Sequence, residues 1–358
     1  MKKQFVKILS LCVLGAATVF VSCDKDEDDE KPEVKTEKRV YILNEGSWNG
    51  NNSTLDVYYP DGENTYQSKI FAAANGQGLG DTGQDILAYG DRIYVSVWGS
   101  NYLAKLDQKG KIIEKHEFTA DEGQPRQLAV KDGFIYVSTY GGKVIKFDTT
   151  TIATSNGSVE VGPHPEGICI SGNTLYATIA GDYNVAYDST LAVVDLTNFT
   201  LKDKFVVGLD PNIVLAVKDE LYVIHYTDPL AGTQEIMSVD PTAKTSTLFS
   251  DGSKIATDGE NLYYVKSFTD YSEYPIVKTV TSFAKKDSET SPLDLTSTPE
   301  LSSAIVYLFE IDPDNGDFYV GTTDYATNGV IYRFDKNGKF ITKFETSSIS
   351  PSHAAFLK

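Results

Sequence analysis

The chain has 358 residues, 41% of them hydrophobic, and sets 32 Lys and Arg against 50 Asp and Glu for a formal net charge of −18. So acidic a balance disfavours nucleic acid and anionic membrane surfaces as partners.

The first element is an export signal. Residues 1–22 combine the basic Lys2, Lys3 and Lys7 with an apolar stretch from Ile8 to Val21, too short for a spanning helix. The run Phe20-Val21-Ser22-Cys23 resembles a bacterial lipobox, in which Cys23 becomes the lipidated N-terminus, although Phe20 stands where Leu is commoner. Residues 23–38 then form a charged, aromatic-free segment opening Asp24-Lys25-Asp26-Glu27-Asp28-Asp29-Glu30, which cannot bury apolar surface and reads as a disordered tether. An acidic stretch directly after the lipidated Cys resembles the signal that sends lipoproteins of Bacteroides-like bacteria to the outer face of the outer membrane. The expected location is therefore the cell surface, with the lipid as the membrane contact. Without Lys2, Lys3 and Lys7 the 32 basic residues become 29 against 50 acidic, a net of about −21. Once Cys23 is lipidated, Cys169 has no partner for an internal disulfide, and its inner-strand setting makes it a small core hydrophobe.

Residues 39–358 repeat. An apolar residue and a tyrosine open a short β-rich run seven times, at Tyr41, Tyr94, Tyr136, Tyr176, Tyr222, Tyr263 and Tyr319, with intervals of 53, 42, 40, 46, 41 and 56 residues. A period of this size built from strands marks a β-propeller, here all-β and seven-bladed. The clearest unit runs from Pro125 through the Lys131-Asp132-Gly133 turn and Phe134–Ser138 to Val144–Asp148, which is three hairpin-linked strands with a variable fourth outside. The first unit starts directly at the tyrosine strand, Arg39-Val40-Tyr41-Ile42-Leu43, whereas Pro351–Leu357 is an orphan copy of the missing inner strand. The C-terminal strand is therefore expected to close the first blade and remove an open sheet edge. Asp107, Asp148, Asp195, Asp240 and Asp335 end third strands and read as Asx turns rather than a metal series. Asp312–Asp317 resembles a calcium loop but has Thr323 where the twelfth-position Glu belongs, and reads as a hairpin turn. Thr281 to Glu300 reads as an insertion in blade six that could alter the rim.

In such a blade the loops entering the inner strand and those joining the second and third strands share one face, where sequence can vary without touching the scaffold. One polar residue follows each Pro or Gly there, and the ring reads Gln84, Arg126, Glu166, Asn212, Ser253 and Ser352, with the seventh position ambiguous. The second set of loops carries Trp48, Trp98, Tyr140, Tyr183, His225 with Tyr226, Phe268 with Tyr271 and Tyr274, and Tyr325. Aromatic faces separated by hydrogen-bonding groups suit a large, polar-rimmed ligand such as a sugar chain or a macrocycle. The candidate ligand-binding residues are Trp48, Trp98, Tyr183, Tyr226, Gln84, Arg126, Glu166 and Asn212. No nucleophile elbow, zinc-protease helix motif or glycine-rich phosphate loop is present, so no catalytic residue, metal or cofactor is assigned.

Tyr41-Ile42-Leu43-Asn44-Glu45-Gly46, Asn52-Ser53-Thr54-Leu55 and the closing Gly329-Val330-Ile331-Tyr332-Arg333-Phe334 resemble the surface propeller lipoproteins of Bacteroidetes, a family of unknown function related to YncE-like and surface-layer-type propellers. One branch, the BtuG proteins, captures cobalamin and passes it to a TonB-dependent transporter. The resemblance implies capture of a ligand, a corrinoid first, and hand-over to an outer-membrane transporter. A protein-docking or glycan-binding propeller and a metal-dependent hydrolase or lactonase remain open alternatives, with Glu166 and Asn212 as conceivable ligands for the latter.

Overall fold

A computed structural model describes residues 37–62, 66–229, 232–270 and 278–358. The export signal, Cys23 and nearly all of the tether lie outside the described residues, as do Tyr271 and Tyr274. Lys38, the last residue given to the tether, is buried, with its ammonium 2.6 Å from Asp312.

Seven antiparallel sheets follow one another along the chain and form a seven-bladed β-propeller. The innermost strands are Pro351–Leu357, Gly83–Tyr89, Pro125–Lys131, Pro165–Ser171, Pro211–Val217, Lys254–Thr257 and Ile305–Ile311 for blades one to seven. Blade three shows the common pattern, with Phe134–Thr139, Lys143–Asp148 and Ser158–Glu160 laid outward in order. In blade one, Pro351–Leu357 pairs antiparallel with Arg39–Asn44 in the register Val40 to Phe356 and Tyr41 to Ala355. The closure expected from the orphan strand is what the sheet order shows.

The repeating tyrosine stands on the second strand of every blade and is buried in all seven. Successive side chains of a strand point to opposite faces, so Val40 and Ile42 pack toward blade seven while Tyr41 and Leu43 pack toward blade two. Each junction between neighbouring blades is one apolar cluster containing the tyrosine of the preceding blade. A strand buried on both faces favours a nearly continuous apolar run, which is why this strand is the most regular in the sequence. The hydroxyl reaches across where it can. Tyr41 donates to the Gln108 carbonyl at 2.8 Å, and Tyr94 to that of Thr149 at 3.2 Å, each in an outer turn of the next blade.

All five third-strand aspartates accept a backbone N–H two residues on, from Lys109, Thr150, Thr197, Thr242 and Asn337. They are Asx turns. Asp312–Asp317 is likewise the hairpin between the first two strands of blade seven, and cationic side chains occupy its carboxylates: Lys38 lies against Asp312 and Asp314, and Arg333 against Asp317. Asp56, on the third strand of blade one, accepts from Asn44, Tyr66, the Lys69 amide and both the amide and hydroxyl of Ser347. It thereby fastens the segment leaving blade seven to the blade that closes the ring.

One expectation is corrected. Thr281 to Lys285 is not inserted but belongs to the third strand of blade six, Lys278–Lys285. That blade has three strands among the described residues, and two 3-10 turns, Leu295–Ser297 and Pro299–Ser303, replace the fourth. Leu293 and Leu301 fill the junction to blade seven, and the Asp294 amide donates to the Gly338 carbonyl of an outer turn. That turn lies on the face opposite the loops proposed as a site, so the start of this segment covers the outer side of the blade.

Removing Pro351–Leu357 strips blade one of its inner strand and uncovers Val40, Ile42 and Tyr41. A chain ending at Ser350 is expected to lose about 4 kcal/mol or more and to melt about 10 °C or more below the full chain. An unchanged thermal midpoint by calorimetry would contradict closure.

Candidate functional site

Six of the seven inner strands slip register near their start, in a β-bulge that falls beside or at one residue of the ring. The shifts lie at Gln84, Arg126, Glu166, Asn212, Tyr307 and Ser352. A bulge places two residues opposite one and re-aims a side chain. In four blades the preceding residue is left-handed, at Thr82, His164, Asp210 and Ser350, with φ of 57°, 46°, 49° and 55°. Non-glycine residues rarely adopt that conformation, and here each turns the chain into the channel just before a Gly or Pro. The six ring residues predicted from sequence all line one cavity of about 620 Å³ at the channel mouth. The missing seventh member is Tyr307, obscured in the sequence because no Pro or Gly precedes it.

The ring is linked on one side. Arg126 donates from Nε to Glu166 Oε2 at 2.7 Å and from Nη1 to Gln84 at 2.5 Å, so blades two, three and four are bridged at the mouth. Tyr140 donates to the other oxygen of Glu166, carries the Arg126 guanidinium over its ring at 4.9 Å and stacks on His164 at 4.3 Å. Trp98 meets Tyr140 edge to face at 6.2 Å. Across the cavity Tyr307 donates to Glu45, whose carboxyl is pushed up chiefly by burial. Deeper in the channel His353 faces Glu310 at 3.0 Å and Asp85 at 3.6 Å, and meets the Gln127 amide at 3.4 Å.

The aromatic candidates divide. Tyr226 lines the cavity, whereas Trp98 does not and packs on Tyr140, which in turn holds Arg126 and Glu166 of the lining. Trp48 and Tyr183 are each 73% exposed in their loops and do not line it. His225 is buried behind the mouth, 3.6 Å from Glu235. Cys169 packs into the junction between blades four and five, and burial pushes its thiol up to about 12. Among the described residues no three of His, Cys, Asp and Glu are grouped to hold a metal ion. Glu166 is instead engaged by Arg126 and Tyr140. Sequence reasoning missed three lining residues: Lys254, one beyond Ser253 on a strand without a bulge; Glu310, farther along the inner strand of blade seven; and Glu45, in the loop after the second strand of blade one.

The family model described as domain of unknown function (DUF5074) matches residues 38–356. No curated protein matches the chain. Among solved structures, a protein provisionally described as a 6-phosphogluconolactonase from Bacteroides fragilis is 14% identical, with a TM-score of 0.56 and coverage of 91% of this chain and 99% of its own. A similarly described protein from Bacteroides uniformis gives 12%, 0.53, 90% and 99%. Apo AztD from Citrobacter koseri gives 10%, 0.50, 90% and 98%. At such identities the likeness carries the fold.

Burial pushes Asp85 up to about 6, against the opposing pull of His353 and the Leu128 amide. His353 is raised because Asp85 and Glu310 outweigh its own burial. Both groups hold a proton more tightly folded than unfolded. Their stabilising contribution is complete at low pH and is lost as pH rises, through about 6 for Asp85 and above the ordinary histidine value for His353. Melting temperature is expected to fall from about pH 4 to about pH 6 as Asp85 ionises, a part that Asp85→Asn removes, and to fall further above the ordinary histidine value as His353 loses its proton. Parallel pH profiles for wild type and variant would refute the assignment.

Proposed function

We propose, for a chain that belongs to the DUF5074 family of unknown function, that the propeller captures a ligand in the cavity at its channel mouth. One observation carries the reading: six inner strands spend a β-bulge near the mouth, and the residues there converge on a single cavity of about 620 Å³. Bulges cost ladder hydrogen bonds and are used where a side chain must be re-aimed, and a cavity of this size is typical of small-molecule sites. Tyr226, Tyr307 and Tyr325 add aromatic surface around polar groups.

The resemblance drawn from the Asn44-Glu45-Gly46 region extends this reading to a lipid-anchored cell-surface protein that passes its ligand to an outer-membrane transporter, with a corrinoid as first candidate. A macrocycle lying across the mouth would meet Gln84, Arg126, Glu166 and Asn212 with its amide arms and the aromatic loops with its apolar faces. An oligosaccharide, which offers hydroxyls to the same groups, is the alternative.

Calorimetric titration with cyanocobalamin and with a panel of oligosaccharides tests the capture. For whichever binds, Arg126→Ala is expected to weaken affinity about thirtyfold, as loss of a desolvated central residue does, whereas Trp48→Ala, outside the cavity, changes it little. Equal affinity in wild type, Arg126→Ala and Asn212→Ala would remove the cavity from the account. Localisation is tested separately. Cys23→Ala should move the protein from the membrane fraction to the soluble fraction, and external protease should digest the wild type on intact cells. Retention in the membrane would contradict lipidation.

A further inference from the structure

The cations lining the mouth cavity are not alike. Arg126 is neutralised by Glu166 and held by Gln84, and His353 faces Glu310. Lys254, at the start of the inner strand of blade six, makes no ion pair or hydrogen bond among the described residues. Its ammonium lies over the ring of Tyr307 at 5.1 Å. Two carboxylates, Glu45 and Glu310, act on it through space, but Glu45 accepts from Tyr307 and Glu310 from His353.

Two residues of the same cavity carry polar atoms with unmet capacity. Asn212 Oδ1 and Ser253 Oγ, from blades five and six, are shielded from solvent and have no hydrogen-bond partner among the described residues. Both residues line the same cavity, together with Ser267 and Thr269. Shielded polar groups in folded proteins are almost always satisfied, and those that are not call for a ligand or a water. A lone ammonium asks for an oxyanion, and an unpaired carbonyl beside an unpaired hydroxyl asks for a group that both donates and accepts, which is what a sugar hydroxyl does.

We propose that this side of the cavity recognises an acidic sugar, whose carboxylate or phosphate oxyanion pairs with Lys254 while neighbouring hydroxyls bond Asn212 and Ser253. The inference rests on the capture reading and names its ligand class. An acidic saccharide and a ribose phosphate carried on a larger ligand share this chemistry.

The test is calorimetry or ligand-observed NMR on the purified full chain with glucuronate, glucose 6-phosphate and glucose. At least one charged sugar is expected to bind about tenfold or more tightly than glucose, as charge-assisted hydrogen bonds imply. Binding by glucuronate alone assigns a carboxylate, and by glucose 6-phosphate alone a phosphate. Lys254→Met should bring the charged sugar down to the level of glucose, and Lys254→Arg should restore most of the difference. Because the ammonium is desolvated and unpaired, Lys254→Met is expected to melt no lower than wild type. If it unfolds, the comparison of charged and neutral sugars on the wild type still decides. Glucose binding as tightly as both acids, no binding by either acid, or indifference of a bound acid to Lys254→Met each overturns the inference. None of these touches the capture reading, which fails only if Arg126→Ala and Asn212→Ala leave the affinity of every ligand found unchanged.

Discussion

Everything in this molecule depends on the packing of one blade face against the next. The second strand of each blade lies between two neighbours, and its tyrosine fills the cluster on the far side. No blade has a core of its own that would survive removal from the ring, since each apolar cluster draws residues from two sheets. The apolar term is non-directional and scales with area, so it holds blades together without specifying their angle. The tyrosine hydroxyls that reach the outer turn of the following blade supply part of that orientation.

That constraint also explains what could be read in advance. A strand buried on both faces takes apolar residues along most of its length, so Tyr41 and its six counterparts recur at nearly constant spacing, and the seven-bladed fold with its closing strand follows. The ring was visible for a different reason: in five blades the re-aimed residue comes directly after a Gly or Pro that ends the approaching loop, as in Pro125-Arg126 and Pro165-Glu166. Tyr307 follows Val306 and was invisible by that rule. Lys254 escaped because it follows Ser253, the residue the pattern picks out, on a strand that pairs without a register slip. Loop aromatics were the least legible. Trp98 and Trp48 occupy equivalent loops, yet one packs on Tyr140 and the other stands in solvent, a difference set by neighbours far away in sequence. The 3-10 turns after Lys285 show the same limit, because whether a polar segment is a rim insertion or an outer cover is decided by Leu293 and Leu301 finding a junction to fill.

The mouth divides its charges in an uneven way. On its Arg126 side Arg126, Gln84, Glu166 and Tyr140 bond one another, and burial makes such a network stiff, because each of these groups left unpaired would carry its full desolvation cost. Opposite it, around Lys254, Asn212 and Ser253, that cost is left standing in the ligand-free protein. A wall that keeps its shape facing a wall with unmet bonding capacity is a preorganised arrangement, since the groups that would meet a guest need little rearrangement to do so.

The ion pair at the start of the folded chain sets a direction. Lys38 is held by Asp312 in a turn between the first two strands of a blade, and those turns lie on the face away from the cavity. The polypeptide thus joins the disc from behind. Within the described residues, neither Lys38 nor the strand that follows it lies across the cavity, so the mouth is left uncovered by the first stretch of the folded chain.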